Sequence, residues 1–175
     1  GTGSSATINV NSNGTTSLVT GSADLSGTRV AMAMQAAEVL GIDAEDVTPA
    51  VVDTDSVGWT GGSGGSRITF DTGRAVIAAA LEVVTEMKGR AALLWEVQDD
   101  DVDFAEGIFI CTKNTEDRLT FKELAGKLMQ TGGPVTCSAS DSQGGAGAQL
   151  AGNIVDVEID PDTGKVQILR YTAFL

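Results

Sequence analysis

Thr60-Gly61-Gly62-Ser63-Gly64-Gly65-Ser66-Arg67-Ile68-Thr69-Phe70 is the stretch on which the reading of this chain turns. Its four glycines argue against helix or strand, because glycine loses the most backbone freedom on ordering. Beyond Phe70 the pattern changes. Val76, Ala80, Val83, Met87 and Leu94 keep a three-or-four-residue spacing, which predicts a long amphipathic helix over about 71–95, with Asp71 or Thr72 as its cap. A glycine loop that opens into a helix sets unpaired N–H groups and the positive end of the helix dipole beside a backbone that an anion can approach closely.

The same arrangement occurs upstream. A small-residue loop, 21–27, ends in Ser26-Gly27-Thr28 and enters an Ala- and Met-rich segment, 28–40, closed by Gly41 as a glycine C-cap. That helix is apolar on nearly every face and is expected to be buried. The candidate phosphate-binding residues are therefore Ser26, Gly27 and Thr28 in the first loop, and Gly65, Ser66, Arg67, Ile68 and Thr69 in the second. Ser63, Ser66 and Thr69 add hydroxyl donors, Arg67 and Arg74 offset negative charge, and two such loops suit opposite ends of a pyrophosphate. Neither loop carries G-x-x-x-x-G-K-[ST] or a strand–GxGxxG–helix unit, so composition alone leaves a flexible surface connection as the alternative.

The remaining segments are mostly strands. Residues 6–10 and 15–20 flank Asn13-Gly14, a hairpin signal. A short helical turn at 43–46 leads to a strand at about 47–52. Residues 102–104 and 108–111 flank Glu106-Gly107. Leu119-Thr120-Phe121 opens a shorter helix through about Met129, stopped by Gly132-Gly133-Pro134. Residues 138–147 read as a flexible Ser/Gly tract. Residues 153–159 and 165–174 enclose Asp160-Pro161-Asp162-Thr163-Gly164, another hairpin. Strands and helices interleave irregularly, without internal repeat. The fold class is α+β, mixed sheets with two or three helices, and residues 1–175 read as a single domain. The run 168–175 stops while still strand-like, which suggests a fragment of something longer.

Composition removes several functions. Among 175 residues, 24 acidic against 11 basic give a net charge of −13, which opposes binding to nucleic acid or to an anionic membrane. Histidine is absent, and with it the commonest general base and metal ligand. Cys111 and Cys137 form no C-x-x-C pair and read as reduced, buried thiols of a cytoplasmic protein. No apolar run approaches the roughly 20 residues of a membrane span. Asp53-Thr54-Asp55 and Asp99-Asp100-Asp101 lack the EF-hand pattern and read as solvated turns. Met32 and Met34 read as core packing, Glu38, Glu82 and Glu86 as structural, and Trp59 as a half-buried core residue more than a ring-stacking one. No catalytic residue and no metal ligand is identified.

Several motifs in order carry a resemblance: Thr20-Gly21-Ser22-Ala23-Asp24-Leu25-Ser26-Gly27-Thr28, Gln35-Ala36-Ala37-Glu38, Val52-Asp53-Thr54-Asp55, Gly64-Gly65-Ser66-Arg67-Ile68-Thr69-Phe70, and Val155-Asp156-Val157-Glu158-Ile159-Asp160-Pro161-Asp162-Thr163-Gly164-Lys165-Val166. Together they resemble the molybdenum-cofactor-binding large subunit of the xanthine dehydrogenase and aldehyde oxidase family, which includes bacterial carbon monoxide dehydrogenases. The resemblance implies a molybdopterin dinucleotide, in the cytosine form, held partly by these loops, with Ser66, Arg67, Ile68 and Thr69 at the pterin and its phosphate. It implies oxygen transfer from water to carbon centres in the intact enzyme. Its implied partners are the remainder of the large subunit and iron–sulfur and flavin subunits or domains. Ser26-Gly27-Thr28 stands where many members have Gly-Gln-Gly, and Gly27 has no glutamine side chain to offer. The family's base glutamate lies downstream of this chain, so the resemblance implies part of an oxidoreductase, inert alone. The alternatives are a free-standing phosphate-ligand or nucleotide-binding module, and a structural domain without ligand.

Overall fold

The fold is given by a computed structural model, which describes residues 3–53, 55–142 and 150–174. β1 (Ser4–Val10) and β2 (Thr16–Thr20) form the first hairpin, in register Ala6 opposite Thr20 and Val10 opposite Thr16. Its turn closes through Gly14 N–H to Asn11 O at 2.9 Å. α1 (Thr28–Leu40) returns the chain so that β3 (Val47–Val51) lies parallel to β2. α2 (Gly73–Trp95) follows the second glycine loop. Then come β4 (Val102–Ala105), β5 (Ile108–Cys111) and β6 (Arg118–Thr120), an antiparallel three-stranded sheet. α3 (Phe121–Ala125) leads to β7 (Val135–Asp141), which completes the main sheet in the order β3-β2-β1-β7. β8 (Gly152–Ile159) and β9 (Val166–Phe174) pair only with each other.

Alternation places this architecture. Ala6, Ile8 and Val10 of β1 and Leu18 of β2 turn one sheet face toward the helices. Met32, Ala36 and Leu40 of α1 and Val76, Ala80, Val83 and Met87 of α2 meet them, and Phe109, Phe121 and Leu124 close one end of the same core. The expected inward positions of the long helix at 76, 80, 83 and 87 are all fully buried, and Leu94 is half-buried. The mixed α+β class with three helices is as the sequence indicates.

Four expectations change. α1 is not buried all round: Val30 and Met34 are 62% and 58% exposed, because the sheet covers only one side of it. A π-helical turn, Ile68–Thr72, leads into α2, and Thr72, though at its N-cap position, is already right-handed at φ −69°, ψ −34° and its side chain makes no capping bond. The segment expected as helix over 119–129 is strand, one short helix and a 3₁₀ turn, because Thr120 and Glu123 form a capping box that starts the helix only at Phe121. Part of the Ser/Gly tract is strand: Ser138–Asp141 belong to β7, held to β1 by Thr7–Ser138 and Asn9–Thr136 side-chain bonds of 2.7 Å each. Residues 143–149 of that tract lie outside the described residues.

Candidate functional site

The two loops share a backbone signature. Ser26 and Gly27 have φ of 59° and 80°, and Thr28 then starts α1. Gly65 and Ser66 have φ of 60° and 57°, and Arg67 follows in right-handed conformation at φ −78°, ψ −23°. A left-handed residue followed by a right-handed one turns successive N–H groups toward one side, making a concavity suited to an anion. Serine in the left-handed region costs about 1 kcal/mol, so each loop carries strain just ahead of its helix. A Cβ at Gly62, Gly64 or Gly65 would meet nothing. Gly62 and Gly64 also lack positive φ, so neither crowding nor conformation within the chain demands glycine there.

The helix openings differ in what they already hold. At α1, the Asp24 carboxylate accepts from Arg29 N–H at 3.1 Å and lies 3.3 Å from Thr28 Oγ1. The Asp24 carboxylate thus takes up donors of that opening, and its charge is paired with Arg29, whose Nε lies 3.7 Å from Oδ2. At the second loop Asp71 N–H donates to Arg67 O at 2.7 Å, and the amides of Ile68, Thr69 and Phe70 precede that bond.

Both arginines expected to face phosphate are engaged by the protein. Arg67 is 8% exposed and its Nε donates to Asp71 Oδ2 at 2.9 Å. Arg74 Nε lies 2.7 Å from Asp141 Oδ2, its Nη2 donates to Asp71 Oδ1 at 3.4 Å, and its guanidinium sits 4.8 Å from the Phe70 ring centre. Two cations meet two carboxylates, so whatever anion this loop holds is met by backbone amides. Ile68 is buried and anchors the turn, while Thr69 and Ser66 are exposed.

The stems of the loops meet although their tips do not. Thr72 Oγ1, fully buried, lies 2.7 Å from Ser22 Oγ of the first loop and 2.9 Å from Ser4 Oγ of β1. Gln35 of α1 donates from Nε2 to Thr69 O at 3.3 Å. No described hydrogen bond joins Ser26, Gly27 or Thr28 to the segment 65–69. Thr72, Ser4 and Ser22 escape sequence reasoning because a hydroxyl in a strand or loop has no pattern of its own.

Trp59 departs from the expected core position: it is 69% exposed. Its backbone carbonyl accepts from Ser5 Oγ at 2.9 Å, and it edges a cleft with Gly21, Val57, Gly58 and Thr60, where the stems of both loops come together. Met34 is exposed where core packing was expected, and Met32 is buried. The acidic runs behave as turns: Asp53 Oδ1 accepts from Asp55 N–H at 3.0 Å, and Asp101 accepts from Lys113 Nζ at 2.5 Å, which holds its carboxyl below the usual range. Among the described residues no group of three His, Cys, Asp or Glu is placed to hold a metal. Cys111 is buried, and burial, followed by the charges of Glu86 and Glu82, pushes the half-buried Cys137 thiol up. No helix among the described residues is long and apolar enough to cross a membrane.

Comparison with known proteins places the whole chain. The model of the molybdopterin cofactor-binding domain matches residues 1–175. The chain belongs to this family. A molybdopterin cofactor-binding domain of this kind is similar to the gamma subunit of the 6-hydroxypseudooxynicotine dehydrogenase complex of Paenarthrobacter nicotinovorans, 29% identical over 157 residues, covering 83% of this chain and 19% of that one. CO dehydrogenase from Oligotropha carboxidovorans shares the fold with TM-score 0.81 and 25% identity, over 97% of this chain and 22% of that one. Quinoline 2-oxidoreductase from Pseudomonas putida 86 shares it with TM-score 0.78 and 23% identity, over 98% of this chain and 23% of that one. The molybdopterin-binding domain therefore spans about a fifth of the length of these relatives. On its own chemistry the second loop is compatible with a phosphate-bearing cofactor: a Cβ at Gly62, Gly64 or Gly65 would meet nothing, and Arg67 and Arg74 are paired with carboxylates of the chain.

Proposed function

We propose that this domain holds the phosphate end of a molybdopterin dinucleotide, in the cytosine form, within a larger molybdenum hydroxylase large subunit of the carbon monoxide dehydrogenase-like branch. The observation that carries the reading is the left-to-right backbone reversal at Ser66–Arg67, set ahead of the amides of Ile68, Thr69 and Phe70, which precede the bond from Asp71 N–H to Arg67 O. Gly65, Ser66, Arg67, Ile68 and Thr69 hold the diphosphate through backbone N–H groups. Ser26, Gly27 and Thr28 contribute polar backbone groups to an uncharged part of the cofactor, since Asp24 already accepts from the Arg29 N–H of that opening. When bound, the cofactor supplies the oxidation chemistry; this chain's residues bind it and set its orientation. The domain is inert alone, working with the rest of the large subunit and with iron–sulfur and flavin partners.

Calorimetry at low salt with cytidine diphosphate and adenosine diphosphate tests this. Binding of the cytidine compound in preference to the adenine one supports it. Equal or stronger binding of the adenine compound refutes the cytosine form, and binding of neither refutes the phosphate site. Trp59 supplies a second signal, because a ring bound in its cleft quenches an exposed indole while the half-buried Trp95 stays constant.

A further inference from the structure

We infer that Arg67 is a positioning residue that aims the loop's amides, and that it reaches the ligand only through them; this rests on the phosphate-site reading above. Its guanidinium points into the protein and makes five described hydrogen bonds. Nε donates to Asp71 Oδ2 at 2.9 Å. Nη1 donates to Gly61 O at 2.8 Å and Gly62 O at 3.3 Å. Nη2 donates to Gly3 O at 3.0 Å and Ser4 Oγ at 2.8 Å. One planar fork thereby ties the glycine loop, the start of β1 and the opening of the helix into a single unit, and Gly61 N–H adds a 2.8 Å bond to the same Gly3 carbonyl.

The consequence follows from peptide geometry. No described peptide bond is cis. In a trans peptide the C=O and N–H of one plane point in opposite directions. Drawing the Gly61 and Gly62 carbonyls in toward Arg67 therefore turns the N–H groups of Gly62 and Ser63 away from it. Gly62 and Ser63 are both exposed, so these groups face no packed part of the chain. Arg67 thus presents a second set of backbone donors, beside those of the helix opening, while Asp71 neutralises its own charge. Lysine cannot substitute: a single ammonium on a flexible stem has no fixed fork to hold carbonyls from two segments at once.

The test compares wild type with Arg67→Lys in the full polypeptide, by amide hydrogen exchange without ligand and by calorimetry with cytidine diphosphate. Positioning predicts exchange about tenfold faster across residues 61–70, with Ile8 and Leu18 amides unchanged, and cytidine diphosphate affinity about tenfold weaker. Loop exchange and affinity both within twofold of wild type, or a uniform rise across β1 and β2 as well, overturns it. A measurement on wild type alone guards against a variant that does not fold: Gly62 and Ser63 amides slow on adding cytidine diphosphate, and no change there overturns the inference. If wild type binds no cytidine diphosphate, the phosphate-site reading falls, and the ligand-free exchange comparison then decides whether Arg67 holds the loop.

Discussion

Replacing Thr72 by valine removes one oxygen and keeps the shape, at the point where the two loop stems meet. Thr72 is fully buried, and its hydroxyl lies 2.7 Å from Ser22 Oγ and 2.9 Å from Ser4 Oγ. Ser4 keeps a donor in the variant, because Arg67 Nη2 still reaches it at 2.8 Å. Ser22, 7% exposed, loses its described partner. The two lost bonds are worth about 1 kcal/mol each, and leaving the Ser22 hydroxyl buried without a partner brings the total to about 2–3 kcal/mol. Thr72→Ser keeps the hydroxyl and loses one buried methyl, about 1 kcal/mol. Urea unfolding measures both. Removing both hydroxyls, Ser22→Ala with Thr72→Val, costs less than the sum of the single changes, since no orphan oxygen remains. A Thr72→Val protein no less stable than Thr72→Ser, or strict additivity in the double variant, refutes the claim that this hydroxyl joins the loops.

Gly41→Ala tests a close approach elsewhere. Gly41 sits at φ 62° at the end of α1, and a Cβ there would overlap the backbone of Gly107 in the β4–β5 turn, so a loss of about 3 kcal/mol is expected in thermal or urea unfolding. Cys137 should resist alkylation by iodoacetamide at pH 8–9 relative to free cysteine, because burial and the nearby Glu86 and Glu82 raise its pKa above the ordinary 9.0. A raised acid pKa means the folded state binds more protons in that window, so stability falls as pH climbs from about 9 through the folded value. Alkylation as fast as the free thiol contradicts this. Asp101 behaves in the opposite sense: its folded pKa is lowered, chiefly by Lys113, so its contribution is present above 3.8 and lost as pH falls through the folded value. In Lys113→Ala the Asp101 carboxyl, followed by NMR titration, should move back toward 3.8.

Much of the secondary structure was legible because it is local. Asn13-Gly14 between alternating runs, Gly41 after an alanine-rich helix, and the spacing of Val76, Ala80, Val83 and Met87 each announce their element through short-range geometry. β7 was not legible. Its Ser138 and Ser140 read as loop, and it is a strand because β1 offers Thr7 and Ser5 hydroxyls across the sheet at 2.7 and 2.8 Å. The same limit applies at the site. Glycine and serine marked where the loops are, yet the direction of Arg67 and the exposure of Trp59 depend on what β1 places beside them.

The closing hairpin shows the division most plainly. Asp160 and Gly164 make its turn predictable from chain chemistry, with Asp160 Oδ1 accepting from Asp162 N–H at 2.9 Å. Ile154, Val157, Ile168 and Tyr171 nevertheless remain exposed. Propensity, turn chemistry and periodicity involve neighbours a few residues apart, so the order of residues alone determined most of the elements, β7 and the segment 119–129 apart, together with the acidic field and the two glycine loops. Which carboxylate quiets Arg74, which hydroxyls join the loops and which helix face stays open are relations between residues far apart in the chain. Only the packed sheet and helices bring such residues within hydrogen-bonding distance, and there the tertiary structure decided.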